Sequence, residues 1–122
     1  MPIIDSTQLK KITAGDQELI ADLAIMFVQN LPELKARIRI GIESGDAAEI
    51  ESGAHQLKSR VSYFGASCLS EQSGKLESAA RNSQRADLLK LQESLFEGVD
   101  QMIQELRTLT NLALEIDSDE TA

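Results

Sequence analysis

At 122 residues the chain has material for one domain built around one hydrophobic core. Its 42% apolar content comes with only 3% aromatics and two prolines, which favours helices over a β-sandwich. A net charge of −8 leaves no basic patch for nucleic acid, and the lone Cys68 excludes an internal disulfide or a cysteine metal cluster.

In chain order, Met1 to Ile4 is an apolar lead-in suited to covering one end of a bundle. Ser6 or Thr7 is expected to cap a short helix over Gln8 to Ile12, broken by Gly15. Asp16 then caps a long helix, with Glu18 in its first turn favouring the dipole. Ile20, Leu23, Ala24, Phe27, Leu31, Leu34 and Ile38 form its apolar face. Pro32 predicts a kink near Asn30-Leu31, after which the face continues in phase, and Gly41 to Gly45 closes the segment.

Asp46 and Glu49 make a variant of the capping box and open the next helix. Its stripe is Ala47, Ile50, Ala54, Leu57, Val61 and Phe64, with Tyr63 packing at the edge and Gly65 at the left-handed terminating position. A further helix is expected from Ser67 to about Asn82, turning Leu69, Leu76 and Ala80 inward, with Cys68 as a small buried residue. Ser83 is expected to cap the last helix, whose face runs Leu88, Leu91, Leu95, Val99, Met102, Leu106, Leu109 and Ala113, widened by Phe96 and Ile103. Residues 115–122 are acidic and aperiodic and read as a disordered tail, leaving 1–114 as the folded domain. The short connections imply an antiparallel four-helix bundle with an additional short N-terminal helix.

The only histidine, His55, is the candidate nucleophile. At 100° per residue it falls roughly 130° from the middle of its helix's apolar stripe, so it points to water rather than into the core. Lys58 is one turn further along the same face, and Ser52, Ser59 and Ser62 around it are short. A neutral imidazole nitrogen can attack phosphorus, and a neighbouring cation offsets the phosphoryl charge. Glu51 is the nearest carboxylate on that face, and with no second histidine a metal site is not expected. Gln56 and Arg60 flank the histidine.

The run His55-x-Leu57-Lys58-Ser59, followed by Gly65-Ala66, Leu69 and Leu76-Glu77, resembles the histidine-containing phosphotransfer (HPt) domain. The family's pattern has glycine where this chain has Ser59. The resemblance implies a phosphorelay carrier that shuttles a phosphoryl group between receiver-domain aspartates through His55. Lys58 would stabilise the charge and Ser59 would leave clearance for the partner. Glu51, Ser52, Gln56, Arg60 and Ser62 are the candidate partner-binding residues.

The implied partners are response-regulator receiver domains and a hybrid sensor histidine kinase. Mg2+ would come from the receiver, and the chain itself would need no cofactor. With no glycine-rich nucleotide loop, no autonomous ATP-dependent kinase activity is expected. Lacking a signal-peptide pattern or a membrane-length apolar run, the chain is expected to be cytoplasmic, and the resemblance implies a monomer. Two other readings stay open at this point. One is a docking module for a receiver domain that takes no phosphate; the other is a structural bundle.

Overall fold

The computed structural model describes residues 2–82 and 84–111. They fold into five helices without a strand: α1 (Ser6–Thr13), α2 (Gln17–Ser44), α3 (Ala47–Ser62), α4 (Ser67–Arg81) and α5 (Arg85–Thr110). The expectations for Ser83 as a cap, for Ala113 and for the tail at 115–122 fall outside the described residues.

Aspartates start the first three helices, each accepting hydrogen bonds from otherwise unpaired first-turn amides. Asp5, rather than Ser6 or Thr7, caps α1, because its carboxylate reaches the amides of Thr7 and Gln8 at 3.0 and 3.1 Å. Asp16 serves Glu18 and Leu19 in the same way. Asp46 accepts from the Glu49 amide at 3.2 Å, but only half of the capping box forms. The Glu49 carboxylate instead lies 3.5 Å from Arg37 Nε on α2.

α1 starts two residues before the expected Gln8 and runs one residue past the expected Ile12, ending with Ala14 itself in the left-handed region ahead of Gly15. α2 runs unbroken through Pro32 and also through Gly41. A Cβ at Gly41 would stand 2.9 Å from Ile50 Cγ1, so this glycine admits close packing of α3, and the terminator is Gly45 at φ 73°. α3 closes through Gly65 at φ 66°. There the Ala66 amide donates to Val61 O and the Gly65 amide to Ser62 O, the paired bonds of a Schellman turn.

The four long helices pack in a ring, α2 on α3, α3 on α4, α4 on α5 and α5 back on α2. Leu31, Ile38, Ala54, Leu57, Val61, Leu69, Leu76, Leu95, Val99 and Leu106 are fully buried between them. Phe27 meets Phe64 edge to face, with ring centroids 5.5 Å apart. Leu23, Leu91, Phe96 and Leu109 are only partly buried, at the margin of this core.

Four side chains depart from the periodicity. Ala47 is exposed, because it is the first residue of α3 and projects beyond the ring. Tyr63 and Cys68 are also exposed, since both lie at the α3–α4 turn, where packing covers only one side. Lys35 is buried, its ammonium 3.9 Å from Asp100 Oδ1 and 5.0 Å from the centre of the Phe96 ring.

The lead-in is anchored at both of its amides: Ile3 and Ile4 donate to the Glu105 carboxylate on α5, and the Ile4 side chain enters the core. That attachment sets α1 against the end of α3. At Gly65 an added Cβ would lie 2.9 Å from the Cβ atoms of Asp5 and Gln8.

Candidate functional site

The roll of α3 fixes where His55 points. Ile50, Ala54, Leu57 and Val61 are all buried, so the ring at position 55 must emerge from the bundle. Its side chain is 66% exposed. Being mid-helix, it stands on a support held by core contacts on both sides, which a loop would not provide.

Across the α3–α4 groove, Glu77 Oε2 comes to 3.2 Å from His55 Nδ1. Glu77 is largely shielded, with 14% of its side chain exposed. One turn on, Arg81 Nη2 lies 3.5 Å from the same Glu77 oxygen. Arg81 also donates from Nε and Nη2 to Glu51 Oε1, at 3.0 and 2.9 Å, reaching back to α3. The Glu51 carboxylate, first through this hydrogen bond and then through its charge, raises the Arg81 pKa above its ordinary value, and Glu77 adds a smaller push. The result is a charge chain, Glu51–Arg81–Glu77–His55, that stitches α3 to α4 beside the ring.

On the other side of His55 the stitching is neutral. Ser62 Oγ donates to Lys58 O at 2.7 Å and lies 2.8 Å from Ser70 Oγ of α4. Lys58 is exposed and leans toward α4 over Gly74, where an added Cβ would sit 3.7 Å from Nζ. Ser59 is exposed as well, and Gln56 donates to Ser52 Oγ at 3.4 Å.

These residues line two shallow depressions that meet at His55. Ile12, His55, Lys58, Ser59, Ser62 and Tyr63 form one, of about 420 Å3. Ala48, Glu51, Ser52, His55, Gln56 and Glu77 form the other, of about 370 Å3. A larger groove of about 790 Å3 between α4 and α5 reaches the site only through Lys58.

Of the residues singled out in the sequence, the structure gathers His55, Lys58, Ser59 and Ser62 on one flank and Glu51, Ser52 and Gln56 on the other. Gly65 lines neither depression but seats α1 at the end of α3. Arg60 also lines neither. It is five residues from His55, about 140° round the helix, on the flank where Gly53 meets Arg37 and Ile38 of α2.

Glu77 as the partner of Nδ1, and Arg81 altogether, were missed as site residues. The i, i+4 spacing of Glu77 and Arg81 was the available signal. Tyr63 was expected only as packing and Ile12 only as the end of the first helix, yet both are exposed beside the imidazole.

A carboxylate beside Nδ1 favours the proton on that nitrogen and leaves the lone pair on Nε2, as carboxylates hydrogen-bonded to metal-ligating histidines do. No group of three His, Cys, Asp or Glu among the described residues is placed to hold a metal ion. A family model described as Hpt domain matches residues 22–109 of the chain. No curated protein and no solved structure matches it.

Proposed function

The chain belongs to the Hpt domain family, whose members carry out histidine phosphotransfer in phosphorelay signalling, and on that premise we propose that His55 is its phosphoryl carrier. Nε2 attacks the phosphorus of an aspartyl phosphate on a receiver domain. The N–P bond forms as the P–O bond to aspartate breaks, and the carboxylate leaves with the electron pair. Delivery to a second receiver is the reverse. The ring gains positive charge as the N–P bond forms, and Glu77 offsets that charge at Nδ1.

Lys58 balances the phosphoryl oxygens from the opposite flank. Ser59 keeps the approach open, and Glu51, Ser52, Gln56 and Ser62 form the rim, which Arg60, turned toward the α2 side of the helix, does not join. The ring of four long helices joined by short turns supports the antiparallel arrangement expected from the sequence. On this reading the chain acts as a monomeric cytoplasmic carrier, the receiver brings the Mg2+, and a hybrid sensor histidine kinase stands upstream. None of the described helices is long and apolar enough to cross a membrane.

The observation that carries the proposal is an exposed imidazole with a shielded carboxylate 3.2 Å from Nδ1 on the face that the family pattern marks. The test is phosphoryl transfer from a panel of phosphorylated receiver domains to wild type and to His55→Gln. Acid-labile, base-stable label on wild type alone is expected. Label retained by His55→Gln refutes the assignment. Receiver binding without label makes the chain a docking module, and concentration-dependent association without receiver binding makes it a structural bundle.

A further inference from the structure

The groove of about 790 Å3 that crosses α4 is larger than either depression beside His55. It runs from Lys58 of α3 over Gly74 to Lys90 and Leu91 of α5. Ala79 and Leu91 give it an apolar strip, and three exposed lysines, Lys58, Lys75 and Lys90, stand around that strip. Of the other lysines, Lys35 is buried and Lys10 and Lys11 belong to α1. Every exposed lysine of the four long helices is therefore at this groove, on a chain whose net charge is −8.

Two carboxylates share the lining. Glu71 lies 3.7 Å from Lys75 Nζ, one turn away on the same helix. Asp87 is in the first turn of α5, where the helix N-terminus offsets part of its charge. Among the described residues, Lys58 and Lys90 have no carboxylate within ion-pair distance. The lysines stand on three different helices, so a ligand that meets all of them has to span the groove. A polypeptide segment does so and a small anion does not. Charge complementarity makes that segment acidic, and the strip of Ala79 and Leu91 asks for an apolar side chain between its carboxylates.

Lys58 lines both this groove and the depression at His55, so one ammonium serves two sites. We propose that the groove is a second binding site, for an acidic segment of a partner other than the receiver domain, and that its occupancy draws Lys58 away from His55. Binding in the groove needs nothing of the phosphotransfer reading above; the coupling rests on it. The competition is reciprocal. A phosphoryl group that engages Lys58 weakens the segment, and a bound segment withdraws the cation that balances the phosphoryl oxygens.

The experiment titrates the full chain, followed by NMR, with eight-residue peptides of three glutamates and two leucines in varied order. A matched set carries glutamine for glutamate. Binding by the acidic set alone is expected, with the largest amide shifts at Gly74, Ala79 and Leu91. Lys75→Ala and Lys90→Ala should each weaken it about threefold, the worth of an exposed ion pair. Both should leave labelling of His55 by phosphoramidate, a small donor that needs no docking, at the wild-type level. The phosphorylated chain should bind about threefold more weakly than the unphosphorylated one, and in Lys58→Ala the two states should bind alike.

No shift with any acidic peptide, equal binding of the glutamine set, or affinities unchanged by both lysine variants would overturn the site. Truncation after Asn111 that sharply tightens peptide binding would assign the groove to residues 112–122 of the chain itself. Self-association lost in Lys90→Ala would assign it to a second copy. Either result removes the partner. A fall on phosphorylation that persists in Lys58→Ala is through-space repulsion and overturns the coupling. If wild type takes no label, the carrier reading and the coupling fail together, while the titrations still decide the site.

Discussion

Replacing Glu77 by glutamine tests the division of labour around the imidazole most directly. Glutamine keeps the size and one acceptor oxygen but removes the charge 3.2 Å from Nδ1. At that separation a unit charge pair is worth about 1.3 kcal/mol at the dielectric of water and about 5 kcal/mol at an effective value of 20. The His55 side chain is two-thirds exposed, which places the free protein near the lower figure. Positive charge develops on the ring only as the N–P bond forms, so the loss should fall on the rate rather than on receiver binding.

Glu77→Gln is therefore expected to slow single-turnover transfer about tenfold, and somewhat more if docking expels water from the groove. The dissociation constant for the unphosphorylated receiver should stay within a factor of two. Rapid-quench transfer at saturating receiver, alongside a binding titration, separates the two quantities. Transfer within twofold of wild type would refute the electrostatic role, and an equal loss in binding would make Glu77 a docking residue.

Lys58→Ala should slow transfer about tenfold without abolishing it, and the wild-type rate should fall with added salt more steeply than the variant's. Gly65→Ala places a Cβ in the left-handed region and against Asp5 and Gln8. It should cost about 2 kcal/mol or more in urea unfolding, with α1 amides exchanging sooner than those of α3. Asp5→Ala removes the cap of α1, and about 1 kcal/mol is expected. That loss should appear as local opening of α1 in hydrogen exchange, with little change in global unfolding. Leu57→Ala empties a fully buried position beside the nucleophile and should destabilise the fold by about 2–5 kcal/mol.

The contrast between what the sequence revealed and what it hid follows from two kinds of geometry. Rotation of a residue about its own helix is set by a period of 3.6, so the exposure of His55, the burial of Ala54, Leu57 and Val61, and the sharing of one face by Lys58 and Ser62 could be read from spacing. Gly65 was equally readable, because a left-handed terminator is a local requirement. Register between helices has no such period. Whether position 77 of α4 stands opposite position 55 or 58 of α3 depends on the length of the α3–α4 turn and on how the buried faces of the two helices pack together. The partner of Nδ1 therefore stayed hidden although Glu77 was in view.

The same distinction explains the errors at helix ends. Ala47 is on its helix's apolar stripe but sits in the first turn, where no neighbouring helix continues, Tyr63 and Cys68 lie off the buried stripes at the α3–α4 turn, and Asp5 outcompeted Ser6 and Thr7 because a carboxylate one residue earlier reaches two amides. Composition could suggest that the chain would bury a core, but the placement of α1 depends on long-range bonds from Ile3 and Ile4 to Glu105. The chemistry of the site is thus carried by one helix and read from one stretch of chain. Residues that flank the imidazole come also from α4 and α1, elements that meet that stretch only in the folded protein.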